Sequence, residues 1–186
     1  RSGTVDVTVN LLKSMELVYG NGCDFLPFYD AMTDKWSKIE RVSDKTGELY
    51  EFDTFEKFYS AVKTQLKHVL KVMIEHFDKT ESVRAKYNPT PYLSLLVNGC
   101  IDKCKDITEG GAELNFVTVE GVTFATTVDS LLAVKYLVYE KKECTLEELV
   151  KALKANWKGY EVLQAKAKNR APKYGRNDRA ADEFAK

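Results

Sequence analysis

One stretch, between residues 110 and 140, constrains the fold more than any other part of the chain. It opens on paired glycines and continues through alternating residues, among which Leu114, Phe116 and Val119 are apolar on a β-branched background. This pattern predicts a buried strand. Gly121 then predicts a turn, since glycine takes backbone conformations that other residues avoid.

A helix is expected to follow that turn, from Asp129 to Tyr139, because its leucines and valines recur at helical spacing. Strand–turn–helix units of barrels and doubly wound sheets often hold a site, since the turn at the carboxyl end of the strand faces the cavity. Further helices are predicted over residues 9–19, 53–78, 92–105, 145–157 and 160–168, and from Asp178 onward. The second of these could extend through Glu81 to Lys86, where Pro89 and Pro91 would end it. Residues 25–52 are expected to be irregular, with a possible hairpin.

Charge and hydropathy exclude several classes of partner. Lys and Arg together number 28, as do Asp and Glu, so no net field attracts nucleic acid or an anionic membrane. No apolar run approaches the ~20 residues of a membrane span, and neither end resembles a signal peptide. We therefore expect a cytoplasmic protein without nucleic-acid or membrane partners.

The cysteines are predicted to be reduced, mostly buried thiols. They are Cys23, Cys100, Cys104 and Cys144. Cys100 and Cys104 lie one helical turn apart, a spacing that a metal site can use. The only histidines, His68 and His76, fall on another predicted helix. We expect no zinc site and no disulfide framework.

Three blocks of residues, in one order, connect the chain to a known family. The first is N-x-x-K-x-x-E followed by N-G-x-D, between Asn10 and Asp24. The second is G-V-x-x-A-x-x-x-D-S-L-x-A-x-K-x-L-V, from Gly121 to Val138. The third is A-P-K-Y-G-x-N-D, from Ala171 to Asp178. Together they resemble the glycyl radical enzymes of the pyruvate formate-lyase superfamily.

The resemblance implies an α/β fold, namely a helix-rich fragment of the family's β/α barrel. In the whole enzyme, two five-stranded half-barrels surround the radical loops. Residues 1–186 would form part of a single domain, incomplete at both ends, and would supply one or two inner strands and several outer helices.

The family's radical residues are expected to lie outside this chain. The resemblance implies a cysteine in a Cys-x-Glu arrangement and a glycine in an Arg-Val-x-Gly-Tyr context, and neither pattern occurs in the sequence. We therefore expect an internal segment, inactive alone, between those two loops. The full enzyme would be a homodimer whose glycyl radical is installed by a radical S-adenosylmethionine activating enzyme, and no metal or organic cofactor is expected in this segment.

Glu120 is the sharpest candidate for a substrate contact. By resemblance, it falls where 4-hydroxyphenylacetate decarboxylases of the family place a glutamate. A carboxylate at a strand end could accept a hydrogen bond from a substrate hydroxyl or act as a base. Phe116 and Phe124 could form apolar walls, and Thr118 could donate a hydrogen bond to an anionic group. Core packing and helix capping are the competing roles of these residues.

The predicted reaction is cleavage of a carbon–carbon or carbon–heteroatom bond in a small anionic substrate. Arylacetate decarboxylation and isethionate-type carbon–sulfur cleavage are both open, and we favour them over dehydratase and choline lyase reactions. The histidine of the decarboxylases aligns near Val7 or Thr8, neither of which can replace it. The alternative from another class is a stand-alone, non-catalytic helical interaction module.

Overall fold

The computed structural model describes residues 7–27, 29–36, 38–115 and 118–186. They fall into two compact units. The first contains the described residues up to Val9 together with Val69–Val122, and the second contains Asn10–His68 and Thr123–Lys186. That residues 1–186 belong to one domain stays a prediction.

Helices dominate both units, with four short strands among the described residues. The strands are β1 (Val7–Asn10), β2 (Tyr29–Asp30), β3 (Lys35–Trp36) and β4 (Val119–Val122). The helices are α1 (Lys13–Tyr19), α2 (Phe55–Tyr87), α3 (Pro91–Leu95), α4 (Phe124–Val134), α5 (Leu146–Lys154), α6 (Glu161–Asn169) and α7 (Arg179–Phe184). A π-helical segment, Lys135–Glu140, continues α4, and Leu49–Glu51 and Ile107–Glu109 form single 3₁₀ turns.

Two pairs of strands form. β1 pairs with β4, and β2 pairs with β3 as an antiparallel hairpin in which Tyr29 faces Trp36 and Asp30 faces Lys35. Asp30 shapes the turn of this hairpin, because its carboxylate accepts hydrogen bonds from the Met32 N–H (2.9 Å) and the Thr33 hydroxyl (2.7 Å). The hairpin predicted within residues 25–52 is confirmed.

The main core lies in the second unit, where α1, the first half of α2, α4, the π-helical segment and α5 pack together. Phe58 and Leu137 are fully buried at its centre. Burying a side chain of this size contributes about 1.5–3 kcal/mol. Tyr139 fixes the π-helical segment to the chain ahead of α2, since its hydroxyl donates to the Phe52 carbonyl oxygen at 3.0 Å.

α2 is the longest helix, and it includes the extension toward Lys86 that the sequence allows. Thr54 caps it, because its hydroxyl accepts a hydrogen bond from the Lys57 N–H at 3.3 Å. The helix stops at Tyr87, shortly before Pro89, as expected of a residue that cannot continue a helix. Its buried residues lie in the first half, from Phe55 to Gln65.

Several predicted element bounds are wrong. The helix predicted over residues 92–105 ends at Leu95, because Gly99 and Cys104 take positive φ angles of 90° and 50°. The Gly99 position also has no room for a side chain, since a Cβ would lie 2.8 Å from the Glu113 nitrogen. The helix predicted over residues 9–19 begins at Lys13, because Val9 and Asn10 belong to β1.

The strand of the 110–140 stretch is shorter and less buried than predicted. It covers only Val119–Val122, and Val119 is exposed. Leu114 lies outside it and is 72% exposed. The following helix begins at Phe124 rather than Asp129, so Thr126 and Thr127 lie within the helix. Within the described ranges, none of the helices combines the length and apolar character needed to span a bilayer.

Candidate functional site

Glu120 lies in β4, within the first unit, and its side chain is exposed. Among the described residues, nothing forms an ion pair or a hydrogen bond with its carboxylate. The backbone amides of the following turn therefore do not satisfy this group. An exposed carboxylate on a strand is available to accept a hydrogen bond from a bound molecule.

The other candidates on this stretch differ in their surroundings. Thr118 directly precedes β4 and is half-buried, and its carbonyl oxygen accepts a hydrogen bond from the Val7 N–H at 3.3 Å. Thr118 is thus fixed beside β1. Phe116 lies outside the described residues, so its predicted role as an apolar wall stays a prediction.

Thr123, the first residue after β4, forms the turn that was predicted at Gly121. Gly121 is part of the strand instead. Thr123 has φ 65° and ψ 20°, in the left-handed region. For a β-branched residue this conformation is a genuine outlier. The sequence analysis missed it because glycine is the usual residue for such a turn.

Hydrogen bonds to the end of β1 hold Thr123 in place. Its hydroxyl donates to the Asn10 Oδ1 at 2.8 Å and accepts from the Leu12 N–H at 3.2 Å. The same Leu12 N–H also lies 3.1 Å from the Asn10 Oδ1. We call this set of contacts among Asn10, Leu12 and Thr123 the Asn10–Thr123 clasp.

The strain of the Thr123 backbone exceeds what one hydrogen bond can offset, so several contacts are needed to hold this conformation. A left-handed conformation costs a residue other than glycine about 1–3 kcal/mol. A single neutral hydrogen bond returns a net of about 0.5–1.5 kcal/mol. The Thr123 carbonyl oxygen adds two bonds to the clasp, since it accepts from the N–H and the hydroxyl of Thr127, each at 2.8 Å. Together these bonds can offset the strain.

Phe124 begins α4 in the second unit and is 42% exposed. Its ring meets the ring of Tyr174 edge-on, with the centroids 5.5 Å apart. Tyr174 is itself fixed on α4, because its N–H donates to the Asp129 Oδ1 at 2.8 Å. Phe124 is therefore neither a core residue nor fully exposed, and the D-S-L and A-P-K-Y-G blocks of the sequence contact each other here.

The first sequence block has structural roles. Lys13 Nζ lies 3.1 Å from carboxylate oxygens of both Glu16 and Asp24. Burial alone lowers the pKa of Lys13, but the hydrogen bonds and negative charges of those two carboxylates raise it above its usual value. Asn21 holds the 46–47 backbone, since its Oδ1 accepts from the N–H groups of Thr46 (3.0 Å) and Gly47 (3.2 Å).

No cofactor or metal chemistry is assigned to the described residues. They contain no group of three or more His, Cys, Asp or Glu side chains placed to hold a metal ion. The four cysteines are free thiols. Since the sequence contains neither Cys-x-Glu nor Arg-Val-x-Gly-Tyr, no radical step is assigned to a residue of this chain.

Comparison with known proteins identifies the family. Residues 2–186 match the family described as pyruvate formate lyase-like. The chain belongs to this family. The resemblance found in the sequence is thereby confirmed. The chain's relatives are named as a dehydratase, a sulfite-lyase and a decarboxylase, and the decarboxylase is named as a glycyl radical subunit.

Two relatives show how similar this family member is to characterised enzymes. Trans-4-hydroxy-L-proline dehydratase of Clostridioides difficile is 38% identical over 176 residues, which is 95% of this chain and 21% of the relative. Isethionate sulfite-lyase of Nitratidesulfovibrio vulgaris is 36% identical over 183 residues, or 96% of this chain and 20% of the relative. The chain thus spans about a fifth of the length of these relatives.

A solved structure confirms the predicted α/β, helix-rich fold. The crystal structure of hydroxyproline dehydratase from Clostridioides difficile with trans-4-hydroxy-L-proline bound superposes with a TM-score of 0.82 at 36% sequence identity. The match covers 96% of this chain and 21% of that one. The helix-rich fold described above is therefore shared with a part of this dehydratase.

Proposed function

We propose that this chain is part of a glycyl radical lyase acting on a small substrate that carries a hydroxyl group and a carboxylate or sulfonate. The family match over residues 2–186 carries the proposal. The named substrates of the two relatives support the finer part: trans-4-hydroxy-L-proline has a hydroxyl and a carboxylate, and isethionate has a hydroxyl and a sulfonate. Dehydration therefore stands beside carbon–sulfur cleavage as the reaction.

The test is an anaerobic turnover assay. The natural protein that carries this chain would be produced together with a radical S-adenosylmethionine activating enzyme, the partner we propose for it. Electron paramagnetic resonance should show a glycyl radical, and the activated protein should consume trans-4-hydroxy-L-proline or release sulfite from isethionate. A radical without turnover of either compound would contradict the substrate class, and no radical would contradict the proposed enzyme. We also propose a homodimer, which light scattering would test.

Within this enzyme, we propose that Glu120 accepts a hydrogen bond from the substrate hydroxyl. Its exposure on β4, without an ion-pair partner among the described residues, supports this role. Thr118 and Phe124 are proposed as further contacts, on polar and apolar parts of substrates respectively. A hydrogen bond to a charged group contributes about 1.5–3 kcal/mol.

The change Glu120→Gln tests this role, since it removes the charge and keeps the shape. We expect kcat/KM to fall roughly 10- to 100-fold, as the hydrogen-bond energy above implies, with the glycyl radical content unchanged. Glu113→Gln is the matched control, because Glu113 is also an exposed glutamate of the first unit. Equal kcat/KM in the Glu120→Gln and control proteins would show that Glu120 does not contact substrate.

A further inference from the structure

Asn10 and Thr123 stand apart from the substrate contacts proposed above. Neither the sequence blocks nor the comparisons give Thr123 a role, yet it combines a β-branched side chain with a φ of 65°. Strained residues of this kind persist only where the surroundings hold them, and they cluster at functional sites. The strained turn at Thr123 therefore indicates a functional role for the start of α4.

The Asn10–Thr123 clasp restrains the Thr123 backbone and connects it to the first turn of α4. The side-chain oxygen of Asn10, Oδ1, accepts hydrogen bonds from the Thr123 hydroxyl and from the Leu12 N–H. Thr123 in turn precedes Phe124 and, through its carbonyl oxygen, anchors Thr127 one turn further along α4. The first turn of α4 is thus tied to the end of β1 through this residue.

We propose that Asn10 and Thr123 are positioning residues, which hold the first turn of α4 so that Phe124 meets the substrate in one orientation. The proposal rests on the proposed function through the contact of Phe124 with substrate. Asn10 and Thr123 act through Phe124 and touch no reacting atom. Their loss affects substrate affinity more than the chemical step.

The experiment uses the activated natural protein and four variants. Asn10→Ala removes the oxygen that accepts from Thr123. The KM for trans-4-hydroxy-L-proline or isethionate, whichever compound the protein turns over, should rise about five- to tenfold with kcat changed less than twofold. Asn10→Asp keeps an acceptor oxygen at the same position and should restore KM to within twofold of the unaltered protein. Asn169→Ala, an exposed asparagine at the end of α6, is the matched control and should leave KM unchanged.

The double variant Asn10→Ala with Thr123→Gly isolates the backbone conformation. Glycine takes a positive φ without a clasp, so the KM of this protein should return most of the way from the raised value of Asn10→Ala to that of the unaltered protein. A KM that is unchanged in Asn10→Ala, or that glycine does not restore, overturns the inference.

Hydrogen exchange separates this inference from the proposed function. Exchange at the amides of Leu12 and Thr127, which donate to Asn10 and Thr123, should accelerate at least fivefold in Asn10→Ala and remain normal in Asn10→Asp. This measurement needs no substrate. Unchanged exchange in Asn10→Ala overturns the positioning role even if the protein turns over its substrate. If exchange accelerates in Asn10→Ala but the unaltered protein shows no turnover, the structural role of the clasp is supported and the proposed function is contradicted.

Discussion

Cys144 shows how surroundings set the chemistry of a single residue. Burial, together with the negative charges of Glu148 and Glu143, raises the pKa of its thiol to about 11. The thiolate is the reactive form. A raised pKa keeps the thiol neutral up to a higher pH than usual, so at pH 8 only about one thousandth of Cys144 is ionised.

We therefore expect Cys144 to resist alkylation near neutral pH. Its labelling by iodoacetamide should increase about tenfold per pH unit between pH 8 and 10, since the thiolate fraction does so below the pKa. Cys104, on an exposed turn, should be labelled first. Peptide mass spectrometry after a fixed labelling time would measure both. Equal labelling of the two cysteines at pH 8 would contradict the raised pKa.

Residues of the candidate site differ in how far the sequence predicts them. Glu120 is predicted because the family resemblance places a glutamate there, at a strand end beside Gly121. The strained turn at Thr123 has no comparable signal, because its stabilising partner, Asn10, is 113 residues away. Local patterns report local conformational preference, and a conformation that distant hydrogen bonds impose is invisible to them.

At the scale of elements, α5 is held at its start by a capping box. The Thr145 hydroxyl accepts from the Glu148 N–H at 3.1 Å, and the Glu148 carboxylate accepts from the Thr145 N–H at 2.8 Å. The spacing of Thr145 and Glu148 in the sequence is that of a capping box, and such a box is visible in a sequence because all its partners lie within four residues of one another.

The change Thr145→Ala should loosen the first turn of α5. Loss of such a cap costs about 1 kcal/mol, so amide exchange in that turn should accelerate roughly fivefold, as measured by hydrogen exchange. Thr80→Ala is the control, since Thr80 lies inside α2 and its hydroxyl only donates back to the His76 carbonyl oxygen. If amide exchange in the first turn of α5 changed equally in Thr145→Ala and Thr80→Ala, the capping role of Thr145 would be contradicted.

Other elements show where the sequence patterns fail. The apolar spacing that predicts a helix over residues 92–105 is real, but Gly99 leaves the helix because its backbone packs closely against residues 111 and 113. α4 begins early because Thr127, a poor helix former, satisfies its hydroxyl on the Thr123 carbonyl oxygen. At Gly99, tertiary contacts override local propensity. At the start of α4, the contact is a hydrogen bond within one helical turn.

At the scale of the whole molecule, the first unit exposes a set of large apolar side chains. They are Tyr92 (79% exposed), Leu93, Leu95 (64%), Leu96 (68%), Ile101 and Leu114. We call them the apolar surface of the first unit. Leu95, Leu96 and Ile101 line one cavity, and large exposed apolar patches are uncommon on monomeric proteins. A stand-alone interaction module with a self-contained core is therefore the less favoured alternative.

We expect the 186-residue chain by itself to bind a hydrophobic dye strongly. The double variant Leu95→Lys with Leu96→Lys should reduce dye fluorescence at least twofold, because it places charges within the apolar surface of the first unit. The control, Gln164→Lys with Asn169→Lys, adds the same charge on α6, where no residue is buried. Dye binding that is weak, or equal in both variants, would contradict an accessible apolar surface.

The Asn10–Thr123 clasp also sets an order of events during synthesis. Its two residues are separated by 113 positions. At a translation rate of ~5–20 residues per second, roughly 6–23 seconds pass between the synthesis of Asn10 and that of Thr123. During that interval β1 has neither its partner strand nor the clasp, and the Asn10 side chain is bound by water. The nascent protein therefore completes this part of its fold only after Thr123 has been made.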